Sequence, residues 1–299
     1  MSSLLTYGYL KVLATLLRAV VSFLEFVTRR PTPRPTDIRY IASRDPGRTI
    51  KIHVYRPRQA TAGPSPVLIN FHGSGFLLPQ HGYDEEFCQT ICQQTHHTVL
   101  DVQYRLAPEH PFPAALNDVE DTIRYVLGRD AEFDRSRISL SGFSAGGNLA
   151  LAASAVLVPP NTVRAVLAYY PVVDMATDAA SKVAPESKTP VIPVPVSRFF
   201  NRCYIPAGFD KRDPRISPQY ADPDRFPTRM LMITAAADSL ACEAEVLAQK
   251  VEALPGRHVV WERMVGCTHA WDKRTQAGTP EREARDRAYA LAVNMLNGI

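Results

Sequence analysis

Six short apolar runs, at residues 66–71, 98–104, 138–140, 165–170, 230–234 and 259–264, limit what this 299-residue chain can fold into more than any other feature. Several are nearly unbroken in Val, Leu and Ile, as expected of strands buried on both faces. Helical stretches alternate with them, at about 85–95, 114–127, 148–153, 241–254 and 279–297. Strand and helix in that rhythm imply βαβ units and a mostly parallel sheet flanked by helices, the α/β class. Upstream, residues 38–55 read as two strands around Asp45-Pro46-Gly47, an antiparallel hairpin. From 175 to 226 the periodicity fails and prolines accumulate, which predicts an insertion holding a short helix near 197–204. The expected organisation is therefore a terminal helix and connector (1–36), a catalytic domain in two pieces (37–174 and 227–299) and the insertion (175–226).

Residues 4–27 are mostly apolar, but Lys11, Arg18 and Glu25 interrupt them at intervals of seven. That spacing places the three charges on one helical face, with Tyr7, Leu10, Leu13, Leu17, Val21 and Leu24 on the other. Three charges inside a bilayer span cost several kcal/mol. The expectation is an amphipathic helix packed on its own protein by the apolar face. The alternative is membrane contact through residues 4–27, with Arg29, Arg30 and Arg34 just beyond. The proline-rich stretch 31–35 ends the helix.

The net charge of +4 comes from scattered arginines without a nucleic-acid motif, so nucleic acid is not an expected partner. Five cysteines in irregular positions suggest reduced thiols and a cytoplasmic setting, with membrane association left open. Neither Cys88 with Cys92 nor His96 with His97 has zinc-ligand spacing, so no metal and no cofactor are expected.

One run ends in small residues. Gly142-Phe143-Ser144-Ala145-Gly146 fits G-x-S-x-G, a serine presented on a sharp strand-to-helix turn. Asp238 follows the run at 230–234, and His269 lies in a loop after the run at 259–264. All three therefore fall at carboxyl ends of parallel strands, on one rim of the sheet. A serine hydroxyl is a weak nucleophile until an imidazole takes its proton, and a carboxylate orients that imidazole. Asp272, nearer to His269 in sequence, follows no strand and ranks below Asp238. The amide of Ala145 and those of Gly73 and Ser74, in His72-Gly73-Ser74-Gly75, are the candidate oxyanion donors.

Four segments carry a family resemblance: His72-Gly73-Ser74-Gly75-Phe76; the run from Asp101 through Tyr104-Arg105-Leu106-Ala107-Pro108-Glu109 to Ala115; Gly142 to Asn148; and Asp213-Pro214-Arg215-Ile216-Ser217-Pro218. The chain resembles the hormone-sensitive-lipase-like branch of the α/β-hydrolases, also called α/β-hydrolase fold-3, over about residues 40–295. The resemblance implies an α/β-hydrolase fold and a serine carboxylesterase, with Ser144 as nucleophile, His269 as base and Asp238 as orienting acid. It also implies a cap, built from the N-terminal helix and the insertion, that shapes the acyl pocket. Departures are Ser74 for a frequent glycine, Phe143 for a frequent acidic residue, Ser239 for proline, and Ala270-Trp271 for Gly-Phe. Phe76, Phe143, Phe199, Phe200 and Trp271 are candidate pocket walls. A small or medium hydrophobic ester is the expected substrate. Acyl transfer or lactone processing with the same three residues, ligand binding without turnover, and assembly as a homodimer remain open alternatives.

Overall fold

The computed structural model describes residues 2–28, 33–58, 63–186 and 192–299. Arg29, Arg30, Pro31 and part of the insertion thus lie outside the described residues. Eight strands form one sheet: β1 (Asp37–Ala42), β2 (Thr49–Tyr55), β3 (Ser65–Phe71), β4 (Thr98–Val102), β5 (Phe133–Phe143), β6 (Ala165–Tyr169), β7 (Arg229–Ala235) and β8 (His258–Met264). Their spatial order is β1-β2-β4-β3-β5-β6-β7-β8. The β1–β2 and β2–β4 pairs are antiparallel, and every later pair is parallel. The hairpin expected around Asp45-Pro46-Gly47 is the β1–β2 pair.

The apolar runs become strands because both faces of the sheet are covered. In β3 every residue is buried. Val67, Ile69 and Phe71 join one core cluster with residues of α3 (Ala114–Leu127), α4 (Ala145–Ala152) and α6 (Ala241–Glu252). Leu68 points the other way, into a cluster with α2 (Glu85–Gln94) and α7 (Pro280–Asn297). Alternate side chains thus serve opposite layers, which removes the polar positions of a half-exposed strand. The parallel register brings Phe71, Phe143, Tyr169 and Ala235 to one edge of the sheet, and the chemistry-bearing loops leave from there. Between β6 and β7 stand short 3₁₀ turns and α5 (Val194–Tyr204).

The first helix, α1 (Ser2–Thr28), packs on the body, but its orientation corrects the sequence expectation. Leu10 and Ala14 are buried, and Leu13, Leu17 and Val21 are half-buried. Arg18 and Glu25 lie on this same inward side, whereas Tyr7 and Leu24 are exposed. Arg18 donates to the Leu77 carbonyl (2.9 Å), to the Ala107 carbonyl (2.6 Å) and to both carboxylate oxygens of Glu109 (3.0 and 2.9 Å). Glu25 accepts from Gln80 at 3.3 Å. Charges at seven-residue spacing ordinarily face water, but here the body supplies partners for Arg18 and Glu25.

Candidate active site

The turn after β5 holds Ser144 at φ 52°, ψ −115°, a region costly for a residue with a Cβ. What keeps it there is the absence of side chains around it. A Cβ on Gly146 would sit 1.9 Å from the Phe71 carbonyl oxygen, and one on Gly142 would sit 2.2 Å from that of Gly146. Only glycine at both places lets β5, β3 and the start of α4 close on one another. Asn148, on α4, donates to the carbonyls of Val172 (2.7 Å) and Ile216 (2.8 Å), which ties this turn to the Asp213–Ser217 segment.

The other two residues arrive from the next strands. Asp238 follows β7 and His269 lies in the loop after β8, as the sequence indicated. His269 Nε2 stands 2.9 Å from Ser144 Oγ, and His269 Nδ1 stands 2.6 Å from Asp238 Oδ2. The other Asp238 oxygen accepts from the Leu240 amide at 3.1 Å, which fixes the carboxylate plane. Asp238 is buried, while His269 retains an edge toward the cavity. A hydroxyl, an imidazole and a carboxylate in that sequence of bonds can pass a proton from oxygen to nitrogen while the carboxylate holds the ring.

The loop after β3 runs beside this turn. Gly73 approaches so closely that a Cβ there would lie 3.3 Å from the Phe143 carbonyl oxygen. Among the described residues the amides of Gly73 and Ser74 donate to no protein acceptor. The Ala145 amide opens α4, where a helix leaves its first N–H groups unpaired. Ser74 turns its hydroxyl to Tyr104 Oη (2.7 Å) and accepts from the Phe76 amide (2.9 Å). Tyr104 in turn donates to the His72 carbonyl at 2.6 Å. The side chain at 74 therefore braces the loop. Tyr104 belongs to the Asp101–Ala115 run, but nothing in its spacing signalled this role.

A cavity of about 920 Å³ opens over Ser144. Phe76, Phe200 and Trp271 line it, together with Val172, Ile192, Val196 and Leu240. Two expected walls are not there. Phe143 is fully buried between Phe87 and Tyr169, because it precedes the outward turn and points into the layer beneath. Phe199 packs against the core beside Phe200 instead of lining the cavity. The insertion contributes several walls, whereas no α1 residue lines the cavity among the described residues.

Under the cavity floor sits a charge cluster that sequence reasoning missed. Lys273 Nζ lies 2.7 Å from Asp84, 2.8 Å from Asp272 and 3.4 Å from the centre of the Phe143 ring. Burial alone would lower the Lys273 pKa, but the two carboxylates outweigh it and keep the ammonium charged. Asp272 also accepts from Tyr170 (2.6 Å) and Tyr289 (3.0 Å), and the Tyr170 ring meets the His269 ring edge-on. The cation lies where the departure at 143 replaced a frequent acid by an aromatic face.

Among the described residues, His53, His81 and Asp101 could hold a metal ion, with one ligand atom each within 4.8 Å of the others. No sequence spacing points to them, since β2, a loop and β4 bring them together. Burial lowers His53 to about 4, and burial together with the Asp84 carboxylate raises Asp101.

A family model described as the α/β-hydrolase fold matches residues 68–273. The chain is 31% identical over 212 residues to an AB hydrolase superfamily protein of Schizosaccharomyces pombe, covering 66% of this chain and 61% of that one. It is 30% identical over 224 residues to the ethyl acetate hydrolase of Pseudomonas putida, covering 71% and 68%. Among solved structures, EstE1, a thermostable carboxylesterase from a metagenomic library, superposes with a TM-score of 0.78 at 28% identity, over 96% of this chain and 97% of that one. A hyperthermophilic esterase from Pyrobaculum calidifontis gives 0.79 at 26% identity, over 97% and 93%.

Proposed function

The chain belongs to the α/β-hydrolase fold family, in its hormone-sensitive-lipase-like branch, and from that premise we propose that it is a serine carboxylesterase. The observation that carries this reading is the bonded set Ser144–His269–Asp238, at 2.9 and 2.6 Å. Ser144 Oγ attacks the ester carbonyl while His269 Nε2 takes its proton. Asp238 holds the ring so that Nδ1–H faces it, and stabilises the imidazolium that forms. The amides of Gly73, Ser74 and Ala145 receive the oxyanion. His269 then protonates the leaving alcohol, and an acyl-enzyme remains on Ser144. Water, activated by the same imidazole, releases the acid and restores the serine.

The aromatic and aliphatic walls contributed by Phe76, Phe200, Trp271 and Leu240 favour an apolar acyl or alcohol group, and the cavity volume suits a small or medium ester. The name of the Pseudomonas putida relative, an ethyl acetate hydrolase, points the same way. A series of p-nitrophenyl esters of increasing acyl length tests the proposal. Hydrolysis is expected for short and medium chains, and Ser144→Ala is expected to lower kcat about 10⁶-fold. Background rates for every ester with the wild-type chain overturn it.

A further inference from the structure

The outward side of α1 is apolar. Leu5, Tyr9, Val12, Leu16, Val20, Phe23 and Val27 are each 57–74% exposed. At about 100° per residue they fall within one sector of about 80°, opposite Leu10, Leu17 and Val21, which face the body. The stripe runs about 33 Å along the helix. Contiguous exposed apolar surface of this length marks a surface that something covers.

The charges around the stripe say what. The first 36 residues contain Lys11, Arg18, Arg29, Arg30 and Arg34 but one acid, Glu25. Arg18 is taken by Glu109, and Glu25 faces Gln80 on the body. Lys11 and Arg34 stay exposed, so the charge this segment leaves without an acidic partner is basic. A second copy would bring an equally basic segment and no acid to meet it. An anionic lipid surface offers both the apolar layer and the opposite charge. No described helix is long and apolar enough to cross a membrane, which leaves a helix lying in the interface.

We propose that α1 docks this protein on anionic membrane surfaces, its Leu5-to-Val27 stripe entering the boundary between headgroups and acyl chains. On its inward side, opposite the stripe, α1 holds through Glu25 the side chain of Gln80, which also lines the cavity.

Co-sedimentation of the full chain with vesicles of equimolar phosphatidylcholine and phosphatidylserine tests this. The wild-type chain is expected to pellet. Leu16→Glu with Phe23→Glu is expected to bind at least about tenfold more weakly. Lys11→Glu with Arg34→Glu is expected to lose binding to these vesicles by a similar factor. Val265→Glu, an exposed apolar residue elsewhere, is expected to bind like wild type. Circular dichroism and hydrolysis of a water-soluble ester establish that each variant is folded. The proposal is overturned by a wild-type chain that stays in the supernatant, or by a folded Leu16→Glu/Phe23→Glu variant that pellets equally well. It is also overturned by a lipid-free dimer that this variant splits, since that assigns the stripe to a second copy.

Discussion

Asp238 and Asp272 stand on either side of His269 in sequence and are almost equally buried, yet they belong to separate networks. Asp238 leaves the end of β7 and faces Nδ1 of the imidazole at 2.6 Å. Asp272 lies three residues past the histidine, and its oxygens go to Tyr170, Tyr289 and the Lys273 ammonium. One carboxylate faces the ring that, in the proposed reaction, gains and loses a proton. The other faces a cation that stays charged. Position at a strand end decides which carboxylate reaches the histidine, and nearness along the chain does not. The pairing also separates two kinds of contribution, to the reaction and to the stability of the floor beneath it.

Mutation of each network tests that separation. Asp238→Asn is expected to lower kcat by about 10⁴-fold with its melting temperature nearly unchanged. Asp272→Asn is expected to cost less than about tenfold in kcat but to lower the melting temperature, since it weakens a buried ion pair. Equal kinetic losses would erase the distinction. Lys273→Met leaves Asp84 and Asp272 buried without their cation, and urea unfolding is expected to register a loss of about 3–5 kcal/mol. A stability unchanged from wild type would mean that the cluster contributes nothing net. Tyr170→Phe removes one donor to Asp272, for an expected loss of about 1–2 kcal/mol in the same measurement. The smallest effect is expected for Ser74→Ala. It deletes the hydroxyl bridge to Tyr104 but keeps the backbone amide, so kcat should stay within about threefold of wild type while stability falls by about 1 kcal/mol. A kcat loss of a hundredfold there would mean that the hydroxyl itself meets the substrate.

The same contrast explains what could be read from the chain alone. Ser144, Asp238 and His269 were legible because each follows a recognisable apolar strand, and the flanking glycines mark the turn at Ser144. The sheet was legible because both its faces are buried, which leaves continuous apolar runs. The Lys273 cluster was not, since Asp84 and Lys273 come from distant segments and no local pattern ties them. Phe143 was expected at the cavity because it adjoins Ser144, but the sharp turn sends neighbouring side chains to opposite layers. Their seven-residue spacing puts the charges of the first helix outward, from the rule that charged side chains face water. That rule fails where the body provides Glu109 and the Leu77 and Ala107 carbonyls for Arg18, a match visible only once the chain is folded.

Mapping of a fluorophosphonate adduct by peptide mass spectrometry tests the account most directly. One phosphonyl group on Ser144 is predicted, absent from Ser144→Ala and formed more slowly in Asp238→Asn than in Asp272→Asn. An adduct on a different residue, or undiminished labelling of Ser144→Ala, contradicts it.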